Sequence, residues 1–176
     1  TVAVGALEGL AGAITVDRGR VHLAEVTSQG ARARELRPVD RATLLVAADV
    51  DDWSEFTLPA VANLGELESL LGDVVHSSGR SPGSVVPFRI EGLASAVELH
   101  VLAGACPYAE PDGPPPWRIE ESDVAVTLVG FFVEGAAGVL THHGRSTHTH
   151  VVLDGISGHL DDVSLTASAR LYLASD

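Results

Sequence analysis

Lysine is absent from this chain, and all 11 of its basic residues are arginines. That removes imine formation on a lysine amine from the available mechanisms. Basic charge as a whole is scarce: 11 Arg stand against 24 Asp+Glu, for a formal net charge of −13. A phosphate backbone would be repelled, so no nucleic acid is expected as a partner. Arg18, Arg20, Arg32, Arg34, Arg37 and Arg41 are interleaved with acidic or apolar residues instead of forming a basic run. Cysteine occurs once, at Cys106 between Ala105 and Pro107. An intrachain disulfide is therefore excluded, and with no activating neighbour the thiol is read as inert. No apolar run reaches the roughly 20 residues that span a bilayer, and no charged-then-apolar leader opens the sequence, so no membrane partner is expected. A cytoplasmic location is the default expectation, and a first residue Thr1 leaves room for a removed leader or tag.

What is present is a chain of 176 residues, 45% hydrophobic, enough for one compact domain or two small packed halves. Short β-branched runs broken by Gly, Asp and Pro predict strands at Ala13 to Asp17, Arg20 to Thr27, Ala33 to Leu36, Thr43 to Asp49, Val85 to Glu91, Ala96 to Ala103, Val124 to Val133, His148 to Leu153, Gly158 to Leu160 and Ser164 to Leu173. One helix is expected at about 63–78. Asn63 and Glu66 have capping-box spacing, and Leu64, Leu67, Leu70, Leu71, Val74 and Val75 recur at helical spacing up to Gly79. The proline-rich stretch 107–116 cannot ladder; it divides a β-rich N-terminal half, 1–106, from a C-terminal β half, 117–176. The expected class is α+β: mostly antiparallel or mixed sheets in two packed halves, with one main helix.

The C-terminal half carries the chemistry. In Thr147-His148-Thr149-His150 the two imidazoles sit at i and i+2 of a strand and point to one face. Asp154-Gly155 is a hairpin signal. With those two residues as the turn, Leu153 faces Ile156, Val151 faces Gly158, and His150 faces His159 directly, with His148 on the diagonal. Three imidazoles then converge at spacings compatible with one ion. Three neutral nitrogen donors with an open position suit a catalytic zinc, although copper, iron and nickel also accept imidazole. His142 and His143 are read as surface or supporting residues, and His22, His76 and His100 have no partner that the sequence identifies.

An open three-histidine zinc acts as a Lewis acid or as a source of hydroxide. No His-Glu-x-x-His motif is present, and no nucleophile elbow or phosphate-cradling Gly-Lys-Ser/Thr is read. For Lewis-acid work the useful companion is a cation that clamps an anionic substrate. Arg89, between Phe88 and Ile90, is the candidate; it either points into a site or lies on a solvated face paired with Glu91.

Taken in order, several segments resemble the bacterial α-acetolactate decarboxylases. Gly5-Ala6-Leu7-Glu8-Gly9-Leu10-Ala11-Gly12, followed by a strand and Asp17-Arg18-Gly19, is similar to that family's opening hairpin. Pro87-Phe88-Arg89-Ile90-Glu91-Gly92 resembles its Arg-x-Asp/Glu-Gly strand, and Pro107-Tyr108 its Pro-Tyr pair. Thr127-Leu128-Val129-Gly130-Phe131-Phe132 resembles a further strand, and His148-Thr149-His150 with Gly158-His159 its zinc ligands. The resemblance implies a two-part α+β fold, zinc on His148, His150 and His159, a substrate-placing role for Arg89, and a homodimer. It also implies loss of carbon dioxide from a branched 2-hydroxy-3-oxo acid to give a hydroxyketone.

The departures are specific. The hairpin between His150 and His159 is two residues shorter than in the family, which preserves face and pairing. Ala13 stands where the family has a catalytic glutamate, and the family's second glutamate comes to the metal from a tail beyond the final strand, whereas this chain stops at Asp176, just after Leu171-Tyr172-Leu173, so both family carboxylates are missing from their expected places. Glu8, Asp17, Glu91 and Asp176 remain as alternatives for the missing role. The expected function is accordingly a zinc-dependent lyase of the acetolactate decarboxylase type, with a small keto acid as substrate. Two readings stand beside it: the same metal scaffold with cyclase, isomerase or aldol-type chemistry through a zinc enolate, and a catalytically silent binding domain.

Overall fold

The computed structural model describes residues 1–106, 110–137, 140–141 and 144–175. Strands β1 (Val2–Leu7), β2 (Ala13–Asp17), β3 (Arg20–Thr27), β4 (Gly30–Arg34) and β5 (Ala42–Ala48) form one antiparallel sheet in the order β4-β3-β2-β1-β5. The second sheet contains β6 (Trp53–Thr57), β7 (Val86–Val101), β8 (Trp117–Glu121), β9 (Val124–Phe132), β10 (Thr147–Leu153), β11 (Ile156–Leu165) and β12 (Arg170–Ala174). Its order is β11-β10-β9-β7-β12-β6, with β8 also on β7. The fold is thus mostly antiparallel β in two sheets with one main helix, as the sequence leads one to expect. The change of sheet falls between β5 and β6, so β6, the helix and β7 join the strands that follow the proline-rich stretch.

Helix α1 spans Leu64–Ser77. The Asn63 side chain accepts from the Glu66 N–H at 2.9 Å, and Glu66 Oε2 reaches back to the Ala62 N–H at 2.7 Å. The first contact satisfies a donor that the first turn leaves without a partner, and the second an N–H just before the N-cap. Leu64, Leu67, Leu71 and Val75 form its buried stripe.

Strand β7 organises the second sheet. Its first half pairs β9 and β12, its second half β8 and β11, and the pairings β7–β9–β10–β11–β7 close a four-strand ring. The sequence reads β7 as two strands broken at Gly92. That glycine answers to close packing instead, since a Cβ there would lie 2.8 Å from the Cβ of Ala169. Conversely, the single strand expected from Ser164 to Leu173 is two: β11 ends at Leu165, and a turn with Ser168 at φ 76° precedes β12. Strands β1, β6 and β8 were not anticipated.

Alternation along these strands gives the second sheet two different faces. One packs on α1 through Phe88, Ile90, Leu128, Val151 and Leu171, all fully buried. The other lies beneath the first sheet, where Val129 and Phe131 meet Val2 and Val4.

Candidate metal centre

The Asp154-Gly155 turn forms as expected, with φ of 47° and 84°, and the register is His150 opposite His159, Val151 opposite Gly158 and Leu153 opposite Ile156. Directly opposed residues share a face. Following the ladders from strand to strand gives one continuous row: Tyr172, Arg89, Val129, His150, His159 and His100. His148 lies two residues before His150 on the same face. From Arg89 to His150 the row faces the first sheet.

Three sequence-predicted histidines are brought together there. Ring centroids are 5.3 Å apart for His148 and His150, 5.6 Å for His148 and His159, and 5.8 Å for His150 and His159. His148 and His150 are buried, and although the His159 side chain is 18% exposed, both of its ring nitrogens are buried. Gly130 contributes to the fit: a Cβ there would come within 2.7 Å of both the His148 carbonyl oxygen and the Phe88 ring. Burial pushes the His159 pKa down, with the nearby His100 acting in the same direction and Asp161 opposing. The neutral imidazole thereby favoured is the form that binds a metal.

Strand β2 covers this row. The fully buried Thr15 has its hydroxyl 3.0 Å from His150 Nδ1. Two residues along, Asp17 meets Arg89: Nε donates to Oδ1 at 2.5 Å and Nη2 to Oδ2 at 3.1 Å. Arg89 Nη2 also donates to Glu91 at 2.7 Å. Arg89 points into the interface between the sheets; it pairs with Glu91, but not on the solvated face that the sequence allowed. Its side chain is 5% exposed, and Nη1 has no hydrogen-bond partner among the described residues. Burial works against the guanidinium charge, but the hydrogen bonds to Asp17 and Glu91 override it and raise the Arg89 pKa. The same hydrogen bond from Arg89 is the main cause that lowers the Glu91 pKa.

His100, given no partner by the sequence, is part of the cluster. Its ring centroid is 5.0 Å from that of His159, and its Nδ1 donates to Asp161 Oδ1 at 2.7 Å. Asp161 Oδ1 lies 3.8 Å from His159 Nδ1, too long for a hydrogen bond, and its Oδ2 accepts from Arg118 at 2.6 Å. Burial alone would raise the Asp161 pKa, yet the two imidazoles outweigh it and hold it well below the usual carboxylate range. Sequence reasoning missed His100, Asp161 and Thr15. The signal for His100 was its ladder position opposite His159, and that register arises only once β7 and β11 pair.

The remaining candidates separate cleanly. Ala13 is buried with Ala24 and Val101 and offers no group that transfers a proton. Exposed Glu8 lies 3.9 Å from Arg41. His76 pairs with Glu134 at 3.1 Å on the surface, and His22 stands opposite Thr15 on β3. Gly79-Arg80-Ser81-Pro82-Gly83 does carry Gly-x-Ser-x-Gly spacing, but it joins a helix to a strand, the reverse of the strand-to-helix context that makes an elbow. Pro107, Tyr108, His142, His143 and Asp176 lie outside the described residues.

No family model matches the chain, and no curated protein matches it in sequence. Solved structures do match. Acetolactate decarboxylase from Bacillus subtilis subspecies spizizenii superimposes with a TM-score of 0.78 at 17% identity, over 99% of this chain and 73% of that one. The α-acetolactate decarboxylase of Bacillus subtilis strain 168 gives 0.80 at 18% identity, over 99% and 73%. A protein of unknown function from Staphylococcus aureus, similar to α-acetolactate decarboxylase, gives 0.74 at 13% identity, over 98% and 72%. The chain therefore has an acetolactate decarboxylase-like fold.

Proposed function

We propose that this chain is a metal-dependent lyase that decarboxylates a small 2-hydroxy-3-oxo acid to a hydroxyketone. Zn2+ would be held by His148, His150 and His159, and Arg89 would grip the substrate carboxylate. The observation that carries the reading is the convergence of three imidazoles, with centroids 5.3 to 5.8 Å apart, on the same row as a buried arginine. A divalent ion on that donor set would supply Lewis acidity to polarise the substrate.

The protein's own groups supply the rest. Arg89 and His150 are separated by one strand at Val129, so their Cα atoms stand roughly 9–10 Å apart. That spacing suits a small acid held by its carboxylate at one end and its ketone at the other. Arg89 Nη1 is the donor left for the carboxylate, and Asp17 and Glu91 fix the plane of the guanidinium. Those two carboxylates also temper its charge. This matters because decarboxylation carries negative charge away from the carboxylate, and a grip equally strong throughout would not accelerate the step. The first sheet covers the row and excludes most water, which strengthens every electrostatic contact inside. Asp17 and Glu91 are committed to Arg89, and Asp161 to His100 and Arg118. The proton that replaces the lost carboxylate is therefore assigned to water.

A second reading rests on Ala13, which offers no proton-transfer group at that position of β2: the metal and Arg89 remain, but the reaction is an isomerisation, cyclisation or aldol-type step. Turnover of racemic α-acetolactate by zinc-loaded protein, with carbon dioxide and acetoin both followed, separates the two. The expected outcome is release of both products, reduced by at least about 100-fold in His150→Ala together with loss of bound zinc. A protein that holds zinc yet releases no carbon dioxide would sink the decarboxylase reading in favour of the second.

A further inference from the structure

A second group of metal-ligating side chains overlaps the first at His159. It adds His100 from β7 and Asp161 from β11, and one donor atom from each of the three residues lies within 4.8 Å of the other two. Register assembles it. His159 pairs with His100 and Leu160 with Leu99, but Asp162 then pairs with Glu98, so Asp161 is the extra residue of a β-bulge. The strand bends there, and Asp161 Oδ1 comes to 2.7 Å from His100 Nδ1 and 3.8 Å from His159 Nδ1.

These separations suit a shared ion. Two atoms bound to one ion at about 2.1 Å stand roughly 2.9–3.4 Å apart for angles between square and tetrahedral, and the observed 2.7 and 3.8 Å bracket that range. Two imidazoles so bound have ring centroids roughly 4.6–5.3 Å apart, and those of His100 and His159 are 5.0 Å apart. The 2.7 Å contact is a hydrogen bond from His100, and an ion on both atoms takes the place of that proton. Arg118 donates to the other carboxylate oxygen at 2.6 Å, which fixes the carboxylate while leaving Oδ1 directed at the two imidazoles.

We propose that His100, His159 and Asp161 form a second seat for a divalent first-row cation, adjoining the three-histidine centre and sharing His159 with it. Two imidazoles and a carboxylate are a harder donor set than three imidazoles, one that suits Mn2+ and Fe2+ as well as Co2+ and Zn2+. Substitutions that spare His159 remove either seat and leave the other whole.

Cobalt(II) binding, followed by visible absorption in competition with a chromophoric chelator, tests this without reference to turnover. His148→Ala/His150→Ala dismantles the first centre alone, and the folded protein is expected to bind one equivalent. Adding Asp161→Ala or His100→Ala to that background should weaken binding by more than about 100-fold, beyond what loss of a merely supporting residue costs. Asp162→Asn is the structural control, because its carboxylate accepts from the Leu64 and Val163 N–H groups; it should lower the melting temperature and leave affinity unchanged. Should the alanine pair fail to fold, His148→Gln/His150→Gln, which keeps a polar group beside Thr15, carries the same comparison. A folded pair that binds no cobalt would overturn the second seat, and cobalt binding by wild type would then leave the three-histidine reading standing. Binding by the pair that Asp161→Ala and His100→Ala both leave unchanged would also overturn it, by placing the ion elsewhere. Should the pair bind as tightly as wild type, and Asp161→Ala by itself abolish binding, the second seat is upheld and the three-histidine reading falls.

Discussion

The two faces of the second sheet are made from alternate residues of the same strands, but only the one toward the first sheet adds buried polar groups to its apolar residues. On the face toward α1, Phe88, Ile90, Leu128 and Val151 are fully buried and apolar. On the face toward the first sheet, their neighbours Arg89, His148 and His150 are buried nearly as deeply, yet each is polar. Burying polar groups costs free energy unless partners are supplied, and β2 supplies them with Thr15 and Asp17. One face therefore carries stability by burial, while the other spends part of that stability on prearranged chemistry.

The largest break in this comparison is expected from Phe88→Ala. Phe88 is fully buried on the helix side, and its loss should cost about 3–5 kcal/mol in chemical denaturation, with little change in metal affinity for the protein that remains folded. A smaller effect tests a residue that links the two faces. Glu68 on α1 accepts at one oxygen from the Ser146 N–H at 3.1 Å, the Thr147 N–H at 3.0 Å and the Thr147 hydroxyl at 2.8 Å, immediately before His148. Glu68→Ala leaves those donors without their acceptor and should cost about 1–3 kcal/mol. Unlike Phe88→Ala, it should weaken metal binding as well, because it frees the start of β10. Glu68→Gln keeps an acceptor and should restore most of both losses; a Gln variant as weak as Ala would show that charge, not the hydrogen bonds, holds the strand.

How much of this was legible in the sequence depended on whether the deciding contacts were local. The hairpin from His148 to His159 was readable residue by residue, because a two-residue Asp-Gly turn sets the register for everything around it. Helix α1 was readable from its cap and its stripe. His100 was not, since it faces His159 through a pairing between strands about 60 positions apart, and composition carries no trace of it. Nor could Thr15 be read: its role comes from one sheet packing on another, a contact that strand alternation does not specify. Gly92 misled for a related reason, because a glycine required by close tertiary packing looks in sequence like the end of a strand. The acetolactate decarboxylase-like fold was legible from the order of several short segments, none sufficient alone.

The smallest expected effect sharpens the contrast through pH. Glu91 accepts from Arg89 at 2.7 Å and from Arg170 at 3.1 Å, and its pKa is lowered chiefly by the hydrogen bond from Arg89. A carboxylate with a folded pKa below its unfolded value of about 4.3 stabilises the fold above that value and loses the contribution as pH falls through the folded pKa. Glu91→Gln should therefore melt below wild type at pH 6, and the gap should narrow as the pH drops from about 4 toward 3. The gap between Phe88→Ala and wild type should stay nearly constant over the same range, since burying a phenyl ring involves no proton. Partial exposure of Glu91 keeps the first gap small, so what distinguishes the faces is its dependence on pH and not its size. Melting curves of the three proteins from pH 3 to pH 6 measure both gaps together. A Glu91→Gln gap that does not move with pH would mean that Arg89 is held by Asp17 alone, and that the polar face is less closely balanced than its geometry implies.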